Sequence, residues 1–151
     1  VKEIIWQLAG AFFGSLGFSI LYNIKRDKLF PAAFGGFLSW GIYLLFAPLQ
    51  LSDAVRYLIA TFFVTLYAEL MARKMKTPAT LFLVPATIPL IPGGSLYYTM
   101  QALTMGNREE FYERGVYTLL LAGAIAGGIL LAMTAWRIVA RLTKFEYMQK
   151  R

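Results

Sequence analysis

The sequence predicts an all-α, polytopic integral membrane protein with five transmembrane helices, the fourth broken at a Pro-Gly-Gly tract. Three observations carry that fold class. Hydrophobic residues make up 58% of the 151 residues and charged residues only 15%, a balance suited to lipid rather than to a soluble core. The charges fall in clusters that divide the chain into long uncharged blocks. One of those blocks, residues 77–107, carries no charge yet contains Pro78, Pro85, Pro89, Pro92 and the pair Gly93-Gly94. The whole chain, 1–151, reads as a single transmembrane domain.

Composition also excludes. There is no cysteine and no histidine, so no disulfide and no Cys/His metal centre is possible, and the commonest general base is missing. Asp27 and Asp53 fall in turns at opposite membrane faces and form no aspartate pair. The chain therefore reads as no enzyme, with no catalytic residue, metal site or cofactor. The net charge of +7 sits at the ends of apolar spans rather than on a soluble face, which points to membrane lipid and away from nucleic acid.

The first block, residues 4–24, is long enough to span a bilayer. It is too long for a signal-peptide core, and no obvious cleavage site follows it. Gly10, Gly14 and Gly17 form a small-residue stripe suited to close helix packing. Lys25, Arg26 and Lys28 make a basic turn. The second block, residues 29–52, starts near Pro31, a residue favoured at helix starts, and exits at Pro48.

Asp53 is placed as the N-cap of a third helix running to about Lys74. Its uncharged middle, residues 57–68, is too short to span alone, so ionisable residues enter the membrane zone. Arg56 is expected to snorkel to the interface. Glu69 lies deeper, with Arg73 four residues on. Either the two form an i,i+4 ion pair, or Glu69 is a coupling or substrate-contacting carboxylate.

A second basic turn, Arg73, Lys74 and Lys76, precedes the proline-rich block. Each proline lacks an N–H and clashes with the carbonyl four residues back, and two glycines release the backbone from helical geometry. Such a break is tolerated only where protein or a watery cavity satisfies the freed groups, and broken helices near the midplane are where transporters bind substrate. The alternative is a kinked packing helix. Spanned as one helix, 31 residues would measure roughly 46 Å against a ~30 Å core, which leaves room for an unwound centre. In that picture the carbonyls of Leu81, Pro85 and Ile88 lose their donors. Ser95 caps a second half-helix from Leu96 to about Met105, whose free N–H groups near Leu96, Tyr97 and Tyr98 suit a carboxylate.

A loop at 108–114 and a last span, residues 115–136, follow, with Gly123, Gly127 and Gly128 as a second small-residue face. If all five blocks span with the N-terminus outside, the inner side holds 11 of the 15 Lys and Arg, and the positive-inside rule is satisfied. A re-entrant fourth block would put the basic tail outside, which the rule disfavours.

The tract Thr87-Ile88-Pro89-Leu90-Ile91-Pro92-Gly93-Gly94, followed by Tyr97 and Tyr98, resembles the signature of the threonine/serine exporter family. Over nearly its full length the chain is similar to the small membrane subunit of the split exporters, the YjjB-like proteins, equivalent to the C-terminal half of the fused ones. The resemblance implies a subunit for export of small polar metabolites, threonine and serine or succinate-like dicarboxylates, in a bacterial inner membrane. It also implies a partner, a larger YjjP-like subunit, within a homo- or hetero-oligomer. The alternative is a scaffold or assembly subunit that transports nothing. The polar residues around the break distinguish the two. Thr87, Pro92, Gly93, Gly94, Ser95, Tyr97, Tyr98 and Gln101 form the candidate substrate site, with Glu69 as coupling candidate. A scaffold would need no such hydroxyls, although Ser and Thr also bond back to their own helix.

Overall fold

The computed structural model describes the backbone of residues 2–149 and the side chains of residues 2–140. Lys150 and Arg151, two of the inner-side charges, lie outside the described residues. The elements are α1 (Lys2–Leu21), α2 (Arg26–Leu45), a 3-10 turn at Ala47–Leu49, α3 (Asp53–Lys74), α4 (Thr80–Thr87), a second 3-10 turn at Ile88–Leu90, α5 (Gly93–Thr104) and α6 (Arg108–Gln149). No strand occurs among the described residues. Four helices are long and apolar enough to cross a membrane, and the bent pair Thr80–Leu90 with Gly93–Thr104 makes a fifth if it is one span.

Three helices end alike. Asn23, Lys76 and Gly106 adopt left-handed backbone, with φ of 56°, 52° and 73°. The next amide in each case reaches back five residues, from Ile24 to Ser19, Thr77 to Ala72 and Asn107 to Ala102. This closure satisfies carbonyls that a helix end otherwise leaves bare.

Helix starts differ from the sequence expectation in three places. α2 begins at Arg26, so Pro31 lies inside the helix rather than at its start; it falls just past the first turn, where the missing N–H frees only a carbonyl at the helix end. The N-cap of α3 is Ser52, and Asp53 is the first helical residue. Residues 108–114 are not a loop but the opening turns of α6. Asn107 Oδ1 accepts from the Glu110 amide at 3.3 Å, as an N-cap side chain does, and its side-chain amide donates to the Glu110 carboxylate at 3.0 Å.

Helix directions follow from contacts along their lengths. α1 and α2 are antiparallel, with Trp40 Nε1 donating to Gln7 Oε1 at 3.1 Å near one end and Phe12 against Phe30 further along. α2 and α3 are antiparallel, since Tyr43 donates to Asp53 and Tyr67 donates to the Pro31 carbonyl. α3 and α6 are parallel. Tyr117 donates to Asp53, Tyr57 clusters with Leu121, Gly128 abuts Leu58 and Thr61, and Arg73 lies over Trp136. The end of the bundle carrying Asp53 is the Asp53 end; the other is the Lys74 end.

That parallel pair decides the path of the broken element. α3 finishes at the Lys74 end and α6 starts at the Asp53 end, so residues 75–107 must run from one to the other. A re-entrant hairpin returning to the Lys74 end is incompatible with these contacts. At 42 residues α6 is about 63 Å long, roughly twice a hydrocarbon core. Its first two turns extend past the level of Asp53.

Small residues set the closest approaches, but not those the glycine stripes indicate. A Cβ on Gly36 would meet Ser15 Oγ and come within 3.0 Å of the Ala11 carbonyl; one on Gly128 would meet Thr61 Oγ1 and lie 2.5 Å from the Leu58 carbonyl; one on Gly35 would lie 2.7 Å from Ala86 Cβ. Gly10, Gly14, Gly17 and Gly123 have nothing within 4 Å of that position. The face of α1 that packs on α2 is Ala11, Ser15 and Ser19, all buried, and the glycines face away from it. Two apolar clusters fill the bundle. Ala32, Ala68, Ala72, Phe82 and Leu83 lie towards the Lys74 end, and Tyr57, Ala60, Leu90 and Leu121 towards the Asp53 end.

Candidate functional site

The discontinuous span is built from two unlike halves. α4 is packed on α2 and α3, with Phe82, Leu83, Pro85 and Ala86 buried. Its prolines do not leave the expected row of free carbonyls. The Ile88 amide bonds to the Pro85 carbonyl, and the Ile91 amide bonds to the Ile88 carbonyl at 3.2 Å. The chain tightens into a 3-10 turn, whose i→i+3 bonds replace the donors that Pro89 and Pro92 lack. Ile91 is extended, and after Pro92 the path turns by 55° into α5.

α5 packs on α6. The Ser95 hydroxyl lies 2.6 Å from Thr118 Oγ1, Thr99 lies 3.2 Å from the same atom, and Thr99 donates to the Ser95 carbonyl. Thr118 in turn donates to the Arg114 carbonyl, so the Ser95 proton goes to Thr118. Since Thr118 neighbours Tyr117 and Tyr117 bonds Asp53, the break sits beside the first turn of α3. It lies near the Asp53 end and not at mid-depth, as the length of the uncharged block had indicated.

The candidate residues are placed as follows. Thr87 closes α4 and returns its hydroxyl to the Val84 carbonyl. Pro92 is the N-cap of α5, without a side-chain cap. Gly93 and Gly94 are exposed, with open space where a Cβ would stand. Ser95 is the third residue of α5 rather than its cap, and its hydroxyl is committed to Thr118. Leu96 already bonds to the Pro92 carbonyl, so the free amides of this helix start are those of Gly94 and Ser95, not those near Tyr97 and Tyr98. Tyr97 and Tyr98 are exposed and meet edge to face at 5.4 Å, with the Arg114 guanidinium 5.3 Å from the Tyr98 ring centre. Gln101 is half-buried, and its carbonyl accepts from Thr104. The structure brings Pro92 to Ser95 together with Thr118 at one helix start and leaves Thr87 on the far side of the turn.

Glu69 is half-buried on α3 and does not pair with Arg73. The ion pairs among the described residues are Arg56 with Asp53 and Arg114 with Glu110. Arg73 instead places its guanidinium 4.7 Å from the Trp136 ring centre, a cation–π contact. Arg56 lies in the first turn of α3. It is clamped between Asp53 and the Tyr43 carbonyl and stacks 3.9 Å over the Tyr43 ring, a cation on the bare carbonyls that end α2.

The broken element lines a cavity near each end. One of about 260 Å³ lies between α1, Trp40 and the turn at Ile88-Pro89, bordered by Gln7, Gly10, Gly14 and Ser15, whose hydroxyl is buried without a partner. The other, of about 670 Å³, opens at the Lys74 end between the α1–α2 turn and the start of α4. Sequence reasoning missed both, because their walls come from segments 30 to 80 residues apart.

A multi-pass helical membrane protein with one discontinuous span joining opposite ends of a parallel helix pair is the class this architecture defines. Within it, residues 7–135 match the family model described as Threonine/Serine exporter, ThrE. The chain belongs to the threonine/serine exporter family, a family of membrane transporters and not of enzymes. No curated protein and no solved structure matches the chain significantly.

Proposed function

We propose that the chain is the small, YjjB-like membrane subunit of a secondary exporter of small polar metabolites, threonine/serine-type amino acids or succinate-like dicarboxylates. It acts with a larger YjjP-like partner subunit, in a hetero-oligomer in a bacterial inner membrane. The observation that carries this reading is the discontinuous span. Its second half starts with two uncapped amides, at Gly94 and Ser95, next to glycines that admit close approach. An uncapped helix start carries partial positive charge and donors suited to a substrate carboxylate. Tyr97, Tyr98 and Gln101 then select the remainder of the molecule, and Glu69, without an ion-pair partner among the described residues, couples transport to an ion.

The Lys74 end is assigned to the cytoplasm. It holds Lys25, Arg26, Lys28, Arg73, Lys74 and Lys76, with Arg137, Arg141 and Lys144 along the end of α6, nine of the 15 basic residues, as the positive-inside rule requires. The N-terminus is then outside, and α5 faces the exit side. Open glycines on α1 and α6 suit a partner's helices. The test is intracellular accumulation of threonine, serine and succinate in cells carrying the chain alone, the larger subunit alone, or both. Reduced accumulation only with both supports the reading. Equal accumulation in all three leaves the scaffold alternative, whose helices bend but carry nothing.

A further inference from the structure

The cavity at the Lys74 end has features that packing does not account for. Asn23 and Lys25 follow α1, Lys28 lies in the first turn of α2, and Thr77, Pro78 and Thr80 lead into α4. At about 670 Å³ it is in the range of small-molecule sites. Neither lysine has a carboxylate partner among the described residues. The Thr77 hydroxyl oxygen is buried and makes no hydrogen bond, although buried hydroxyls are nearly always satisfied. The local backbone explains why it is left over. Thr77 follows the left-handed Lys76 and spends its own amide on the Ala72 carbonyl. Pro78 then prevents the chain from continuing helically, so the side chain is fixed beside the cavity. Two ammonium groups with an idle hydroxyl are donors without an acceptor, the complement of a carboxylate.

A second observation extends this site. Thr77 and Pro78 also border a neighbouring cavity of about 560 Å³ that contains Glu69, Arg73 and Lys76. The Glu69 carboxylate, without an ion-pair partner among the described residues, is therefore one wall away from the lysines. Arg73 is drawn off to Trp136 and does not neutralise it.

We propose that this cavity is the loading vestibule of the exporter: Lys25, Lys28 and Thr77 take up the carboxylate of a small metabolite before it reaches the broken span. The proposal rests on the exporter reading for its direction, but the binding itself does not. Electrostatics sets the role. A basic mouth concentrates anions, and α4, whose first residues form one wall, links it to the break some ten residues on. Asn23 and Thr80 supply further polar groups for the body of the substrate.

The experiment uses the chain in phosphatidylcholine nanodiscs, alone and with its partner subunit, and follows thermal stabilisation by succinate and by L-threonine. Saturable stabilisation by either probe is expected, with at least tenfold weaker apparent affinity in Thr77→Val and in the double variant Lys25→Gln/Lys28→Gln. Thr77→Ser should restore it. Thr77→Val removes a hydroxyl that bonds nothing, so the ligand-free melting temperature should not fall, which separates lost binding from lost folding. Stabilisation that is absent, or unchanged in these variants, overturns the vestibule even if cells export. Stabilisation that appears only when phosphatidylglycerol is added, and not with either probe, also overturns it and makes the cavity a lipid headgroup site. Binding without export in cells leaves the carboxylate site standing and removes the exporter reading, and with it the loading role.

Discussion

Tyr117 donates its hydroxyl to Asp53 Oδ2 at 2.6 Å, and this bond joins the first turn of α3 to the start of the apolar stretch of α6. The same carboxylate accepts from Tyr43 at 3.0 Å and from Arg56 at 3.0 Å. One side chain thus ties α2, α3 and α6 at a single level. Because α3 and α6 leave that level in the same direction, the proline-rich element is obliged to cross. Tyr117→Phe should lower stability in detergent by about 1 kcal/mol, the net value of a part-exposed hydrogen bond. Asp53→Ala should cost more, because three donors lose their acceptor. A melting temperature for Asp53→Ala equal to that of Tyr117→Phe would show that Tyr43 and Arg56 gain nothing from the carboxylate.

The orientation assigned from charge is open to a direct check, since the chain has no cysteine. Glu109→Cys on the exposed first turn of α6 should react with a membrane-impermeant maleimide in intact cells. Lys74→Cys should react only after permeabilisation. The reverse pattern turns the protein over and makes the basic cavity an exit.

Much of this fold was legible in the sequence because lipid imposes a coarse rule. Apolar blocks of about 20 residues bounded by basic clusters become spans, and the charges at 25–28 and 73–76 marked the turns. What was not legible depends on rotation about the helix axis. Gly10, Gly14 and Gly17 look like a packing stripe, yet the contact face is Ala11, Ser15 and Ser19, one residue further round. Likewise Glu69 and Arg73 have ion-pair spacing, but Trp136, far along the chain, competes for the guanidinium. The capping pair Asn107 and Glu110 was a readable local signal, three residues apart.

Gly128 and Gly123 separate packing from mere composition. Gly128→Ala puts a methyl against Thr61 and the Leu58 carbonyl, both of which belong to a rigid helix, and should destabilise by about 1–3 kcal/mol. Gly123→Ala meets open space and should be neutral or slightly stabilising, as alanine is the better helix former. If the open face meets the partner subunit, Gly123→Leu should reduce co-purification with that subunit without lowering the chain's own melting temperature.

Glu69→Gln tests coupling. With no ion pair to lose among the described residues, the substitution has little structural cost, and expression and melting should match the parent. Export should fall by at least roughly tenfold if the carboxylate carries the coupling ion, which corresponds to ~1.4 kcal/mol or more. Arg73→Ala should show the opposite profile, with reduced stability from the lost Trp136 contact, worth about 0.5–2 kcal/mol, and export that follows protein level. Full export by Glu69→Gln would remove this residue from the mechanism.

The break offers the sharpest contrast between a site and a bend. Gly93 and Gly94 begin α5, are exposed, and have room for side chains. A leucine at 94 therefore meets no steric barrier, and in a packing helix it would stabilise if anything, since glycine is a poor helix residue. If the free amides of Gly94 and Ser95 hold a substrate carboxylate, the same leucine covers them and export should be abolished at unchanged membrane level. Pro85→Ala works through the other half. Pro85 is buried within α4, and alanine restores an N–H that can reach the Leu81 carbonyl, straightening α4 while leaving a small void. That change should reduce export less and lower the melting temperature more. The two variants thus separate on two axes: Gly94→Leu loses function and keeps its fold, Pro85→Ala loses some of each. Normal export by Gly94→Leu, measured at matched levels with the partner subunit present, would falsify carboxylate binding at the start of α5 and leave the prolines as the cause of a bend alone.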